Sequence, residues 1–316
     1  MLKKSKIGAI ADTSDNEIIK VSGLTRDFGS GKGIFDFDFS VKRGEVFGIV
    51  GTNGSGKTTT LRHLMGFMKP DSGSCEIMGL DCRKNTAEIM KHVGYVPGEI
   101  DFPDVGSGTS FLKIQAEFLK VTDREYISRL ADMFKLDTDA PLKRMSKGMK
   151  QKTALVAAFM SRPDVLLLDE PSTGLDPLMR DTLIELILSE KERGATVLMS
   201  SHIFKELDDT ADRVLFINNG RQTDLIEKES FSKGKPRTYR LGFRSYEEYD
   251  SFVKHTALDI AYENRKYLHL DVSLTENAVN KLFEETAGFD IRYMKFRPFT
   301  LEDHYTEILE GGKYSA

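Results

Sequence analysis

Between Ile18 and about Leu225 the chain alternates short apolar runs with stretches in which apolar residues recur every three or four positions. The runs include "EVFGIV", "DVLLLDE", "ATVLMSS" and "DRVLFIN". Near-continuous apolar runs of this length predict strands buried on both faces, which belong to parallel sheets covered by helices. The alternation therefore predicts an α/β domain around a parallel sheet. Between about Glu99 and Arg144 the pattern changes. "SFLKIQAEFL" and "EYISRLADMF" carry apolar residues at helical spacing with few strand signals between them, which predicts a helical insertion.

Further along, "EKESFSKGKPRT" is polar and charged, contains Gly and Pro, and reads as a linker. "TYRLGF", "SYEEYDSFVKHT", "IAYENRKYLHLDV", "TENAVNKLFEETA" and "IRYMKFRPF" then predict strand, helix, strand pair, helix, strand. That order fits a small split βαβ unit, and "TLEDHYTEILE" predicts a closing helix. The expected organisation is an N-terminal extension over 1–16 and an α/β domain over 17–225, with a helical subdomain over about 99–160. A linker over 226–236 and a small α+β domain over 237–316 follow.

Composition narrows the classes of partner. A length of 316 residues suits about two domains. A net charge of −4 lacks the basic excess of a duplex-binding protein, so no nucleic-acid partner is expected. The two cysteines, Cys75 and Cys82, are too few for a disulfide framework and read as free thiols. The lysines of "MLKKSKIGAIADTSDNE" precede an apolar stretch too short for a secretory signal, and no run is long enough to cross a bilayer. The expectation is a cytoplasmic chain that reaches a membrane only through a partner.

The chemistry is concentrated in "GIVGTNGSGKTTTLRHLM", from Gly48 to Met65. Gly51, Gly56, Lys57 and Thr58 match G-x-x-x-x-G-K-[ST], with a strand pattern before and a helix pattern after. Glycines let successive backbone N–H groups turn around an anion, and the helix N-terminus adds about half a positive charge. The candidate phosphate cradle is Thr52, Asn53, Gly54, Ser55, Gly56, Lys57, Thr58 and Thr59. Lys57 can reach the β- and γ-phosphates, and the Thr58 hydroxyl can bind Mg²⁺. Downstream, "VLLLDE" ends in Asp169 and Glu170. An apolar strand ending in carboxylates beside such a loop is a Walker B pattern. Asp169 then holds Mg²⁺ and Glu170 polarises the attacking water.

Just upstream, a serine and a glycine open the helix of "RMSKGMKQKTALVAAFM", and "PSTGLDP" and "MSSH" come after Glu170. The order of phosphate loop, helical insertion, serine-glycine turn, Walker B strand and these two segments resembles the ATP-binding cassette (ABC) family over residues about 18–225. Ser146 and Gly148 fall on the serine and second glycine of the LSGGQ signature, Asp176 on the D-loop aspartate and His202 on the switch histidine. Phe28 in "TRDFG" matches the aromatic residue that stacks on adenine. The resemblance implies an ATPase using ATP and Mg²⁺, with Glu170, His202 and Lys57 as catalytic residues. It also implies a head-to-tail dimer, with itself or a similar cassette, that sandwiches ATP between one chain's loop and the other's signature. The implied partner is a separate polytopic permease, and the implied place is the cytoplasmic face of the cell membrane.

Two motifs depart from the family pattern. The signature reads Met145-Ser146-Lys147-Gly148-Met149, with Lys for the first glycine and Met for the glutamine. The Q-loop glutamine expected after "GYVP" is Gly98, followed by Glu99. The leading expectation is the ATP-hydrolysing subunit of an exporter. A soluble ABC ATPase that remodels a ribosome or nucleic-acid complex is the alternative, although such proteins usually carry two cassettes or a long coiled-coil insertion. A GTPase or kinase fits less well, because N-K-x-D is absent.

Overall fold

Residues 16–231, 237–274 and 279–309 are described by the structure, a computed structural model. Along the chain come β1 (Glu17–Asp27), β2 (Gly33–Lys42), β3 (Val46–Gly51), α1 (Lys57–Leu64), β4 (Ser72–Ile77), β5 (Leu80–Asp81), α2 (Thr86–Ile89) and β6 (Val93–Val96). The helical stretch follows as α3 (Gly108–Phe118), α4 (Arg124–Met133), a 3-10 turn at Leu142–Arg144 and α5 (Lys147–Phe159). After it come β7 (Val165–Asp169), α6 (Pro177–Glu192), β8 (Thr196–Ser201), α7 (Phe204–Thr210), β9 (Arg213–Asn218) and β10 (Arg221–Glu227).

Every residue of β3, β7 and β8 is buried, as the unbroken apolar runs require. They lie in a six-stranded sheet of order β10-β9-β3-β8-β7-β6. The β9–β3–β8–β7–β6 pairings are all parallel. A parallel sheet aligns its strand C-termini, so the segments after β3, β6, β7 and β8 emerge at one edge.

Beside the expected parallel sheet, β1, β2, β4 and β5 form a second, antiparallel sheet of order β2-β1-β4-β5, which the apolar runs did not predict. In β2 buried and more exposed positions nearly alternate, the mark of a strand with one covered face rather than two. Phe37, Phe47, Ile49, Leu61, Leu64, Leu167 and Leu198 belong to one core that joins this sheet, α1 and the parallel sheet. Full burial of each such side chain contributes about 1.5–3 kcal/mol.

The chain divides into two compact units, residues 1–226 and 227–316. The expected linker is partly structured: β10 runs to Glu227 and a short helix α8 spans Lys228–Phe231. Residues 232–236 of that linker, and 1–15 of the expected extension, lie outside the described residues. The second unit continues with β11 (Arg237–Phe243), α9 (Tyr246–His255), β12 (Asp259–Asn264), β13 (His269–Leu274), α10 (Val279–Thr286), β14 (Ile291–Arg297) and α11 (Leu301–Leu309). Its sheet has the order β12-β13-β11-β14, with every pairing antiparallel. Leu241, Phe243, Tyr249, Phe252, Leu270 and Val272 form its core. On β13, Asp271 is fully buried and is gripped by Arg240 and Arg297.

Candidate active site

The loop from β3 into α1 is shaped by its glycines. A Cβ on Gly51 would stand 2.3 Å from the Ile217 carbonyl oxygen, so no side chain fits there. Gly56 has φ 113°, a conformation L residues rarely adopt, and it is the N-cap of α1. Because glycine has no side chain to cap the helix, the first N–H groups of α1 are left for another acceptor. Thr58 and Thr59 lie half-buried on this first turn, while Thr52, Asn53 and Gly54 are exposed and Ser55 is buried. Lys57 is 5% exposed, and its Nζ donates to the carbonyls of Gly51 (2.8 Å) and Thr52 (3.3 Å).

The same ammonium lies 3.5 Å from Glu170 Oε1, and His202 Nδ1 lies 3.2 Å from Glu170 Oε2. Lys57, Glu170 and His202 are thus gathered at the C-terminal edge of β3, β7 and β8. Asp169, the last residue of β7, is fully buried. Its Oδ1 accepts from Ser200 Oγ at 2.6 Å, while Oδ2 is buried with no hydrogen bond. That unpaired hard oxygen, with the Thr58 hydroxyl at the start of α1, fits a Mg²⁺ ion that takes its remaining ligands from phosphate and water. Among the described residues no group of three or more His, Cys, Asp or Glu side chains is assembled to hold a metal by itself.

Glu170 is held in an unusual backbone conformation, with φ 48°. A non-glycine residue in that region costs about 1–3 kcal/mol, and a following proline further restricts the residue before it. The turn is braced from both sides. The Glu170 N–H donates to the Ser200 carbonyl (3.1 Å) and lies 3.0 Å from Ser200 Oγ. The carbonyl of Pro171 accepts from Gln151 Nε2 at 2.7 Å. Ser200 and Gln151 were not among the residues singled out from sequence. The available signal for Ser200 was a hydroxyl inside the apolar run "ATVLMSS"; for Gln151 it was a polar side chain on the apolar face of α5.

Other expected site residues stand apart from this group. Ser146 is the N-cap of α5, accepting from the Met149 N–H at 3.2 Å. A Cβ on Gly148 would lie 2.7 Å from the Gly174 carbonyl oxygen, so glycine is needed for α5 to approach the loop after β7. Asp176 caps α6 through the Met179 N–H at 3.0 Å. Phe28 is 52% exposed, with the Arg26 guanidinium 5.4 Å from its ring centre. None of these four makes a hydrogen bond or ion pair with Lys57, Glu170 or His202. A Cβ on Gly98 would lie 2.9 Å from Asp169 Oδ2, so the Asp169 carboxylate occupies the space that a side chain here would need. Glu99 beside it is exposed.

The ABC transporter family model matches residues 34–173. The bacitracin transport ATP-binding protein BcrA of Bacillus licheniformis is 32% identical over 312 residues, covering 93% of this chain and 98% of that protein. The Nod factor export ATP-binding protein I of Ralstonia nicotianae is 32% identical over 240 residues, covering 73% of this chain and 72% of its own. A solved structure of the ATP-binding subunit of an ABC transporter is 29% identical and superposes with a TM-score of 0.62, over 67% of this chain and 91% of that one. A likeness that runs almost end to end through one relative extends well beyond a shared phosphate loop. The chain belongs to the ABC transporter family, as one of the ATP-binding and ATP-hydrolysing subunits that drive transport.

Proposed function

We propose that this ATPase energises an exporter whose membrane path is a separate polytopic permease, and that two cassettes clamp ATP and Mg²⁺ between them. One observation carries the reading. The group around Lys57, Glu170 and His202 is assembled within one chain, whereas Ser146 and Gly148 head a different helix and make no bond to it. A second chain then brings its own α5 N-terminus to the γ-phosphate, where helix-end N–H groups favour an anion.

In this arrangement Phe28 stacks on adenine, and the N–H groups of residues 52–59 with Lys57 hold the phosphates. Thr58 and Asp169 would hold Mg²⁺, which when bound would supply positive charge to the phosphates. Glu170 takes the proton of the attacking water, and His202 holds the Glu170 carboxylate in place. Ser146 and Gly148 serve the partner's nucleotide, and Asp176 lies at the interface. The two relatives, a bacitracin transport protein and a Nod factor export protein, support transport with export as its direction. No helix among the described residues is long and apolar enough to cross a membrane; in this reading the chain attaches to the cytoplasmic face through the permease. Ile114 and Phe118 of α3, 47% and 79% exposed, offer it an apolar docking surface.

The test is to tag Glu170→Gln, solubilise membranes in mild detergent with ATP and Mg²⁺, and identify what is retained. A stoichiometric polytopic membrane protein is the expected result. Ribosomes or other soluble assemblies without one would favour the remodelling ATPase instead.

A further inference from the structure

We propose that Gln151, on the signature helix, is a positioning residue for hydrolysis: it holds the strained Walker B turn in the conformation that aims Glu170. The proposal rests on the reading of Glu170 as the base. The side chain is 2% exposed and lies on α5 five residues beyond Ser146. Its Nε2 donates 2.7 Å to the carbonyl of Pro171, the residue directly after Glu170. Glu170 keeps φ 48° in front of a proline, a conformation that persists only where the surroundings over-determine it. Ser200 fixes the N–H side of that residue, and Gln151 fixes the carbonyl that follows it.

The loop after β6 does not perform this task. Gly98 has no side chain, and its backbone is so close to Asp169 that a Cβ would stand 2.9 Å from Oδ2. A cavity of about 370 Å³, lined by Gly98, Glu99, Met145, Lys147 and Gln151 among others, opens between that loop and α5. Gln151 therefore connects the helix bearing Ser146 to the turn bearing Glu170 by a direct side-chain bond. A shift of α5 is felt at the base through this amide.

Two substitutions test it. Gln151→Met keeps the volume and removes the donor; Gln151→Glu is isosteric but donates to a carbonyl only when protonated. At pH 8.5 both variants should lose about tenfold or more in kcat, since small misplacements of a catalytic group cost up to about 10²-fold. KM for ATP should stay within about twofold of wild type, because the bond does not touch the phosphate loop. As the pH falls toward 6, Gln151→Glu should recover relative to Gln151→Met, because burial raises the carboxyl pKa and the protonated form restores the donor. A kcat within about twofold of wild type in both folded variants would overturn the proposal. So would parallel losses in kcat, KM and melting temperature with no pH-dependent gap between them. Glu170→Gln, assayed alongside, isolates the underlying reading: wild-type turnover there removes the base assignment whatever Gln151 does.

Discussion

Two aspartates, Asp169 on β7 and Asp271 on β13, are both fully buried on strands, yet they are treated in opposite ways. Asp271 has both oxygens engaged: Arg240 Nε and Nη2 donate at 2.6 and 2.8 Å, and Arg297 Nη1 donates at 2.9 Å. Asp169 has one oxygen bound to Ser200 and the other left without a hydrogen bond. A buried charge is tolerated when it is paired, so Asp271 is accounted for by its own unit. The unpaired Asp169 oxygen sits where strand ends and the α1 N-terminus converge, and it acquires a purpose only with a ligand. On the proposed reading, the contrast separates a charge that holds a fold from one reserved for chemistry.

The largest expected effects fall on the reserved side. Glu170→Gln should lower turnover by about 10²–10⁴-fold while ATP still binds and the closed dimer accumulates, read by steady-state hydrolysis and light scattering. Wild-type turnover in that variant would remove the base assignment. Asp271→Asn should cost its unit about 1.5–3 kcal/mol, the range for hydrogen bonds to a charged group, because both arginine partners are partly exposed; denaturant unfolding measures it. Asp169→Asn should abolish Mg²⁺-dependent hydrolysis with little loss of thermal stability, because an uncompensated buried charge is removed. If Asp169→Asn melts as far below wild type as Asp271→Asn does, the contrast between the two fails.

Acid titration gives a smaller, signed effect. Burial is the largest influence on Asp271 and pushes its pKa up, but the Arg240 and Arg297 guanidiniums together outweigh it and hold the carboxyl below its ordinary value. A depressed folded-state pKa gives stability that is complete above about pH 4, the unfolded range. That stability is lost as pH falls through the folded value. Wild type should therefore weaken below about pH 4, and Asp271→Asn should lack this component of the acid transition. The mildest test concerns the signature: Ser146→Arg should leave the melting temperature within a few degrees of wild type while preventing ATP-induced dimerisation. An unchanged dimer would count against a shared site.

Much of this was legible in the sequence, for identifiable reasons. The β3, β7 and β8 strands are unbroken apolar runs, and only a strand covered on both faces requires that. The phosphate loop was legible because its glycines are irreplaceable; a side chain on Gly51 would collide with the Ile217 carbonyl. The antiparallel sheet was missed because β1 and β2 carry polar residues between their core positions and so lack the continuous run that marked the others. Ser200 and Gln151 were missed for a different reason. Their importance lies in bonds to backbone groups 30 and 20 residues away in sequence, and nothing in local spacing encodes those partners. The close approach of Gly98 to Asp169 was equally invisible, because a missing side chain in sequence does not disclose what fills its place.

The turn at Glu170 also constrains how this enzyme can change over evolutionary time. Its φ of 48° is one that glycine adopts freely. Glu170→Gly would relieve the backbone strain, yet it would delete the contacts to Lys57 and His202 and the group proposed to act as the base. A glutamate at this position therefore exchanges backbone ease for the carboxylate that the proposed reaction requires.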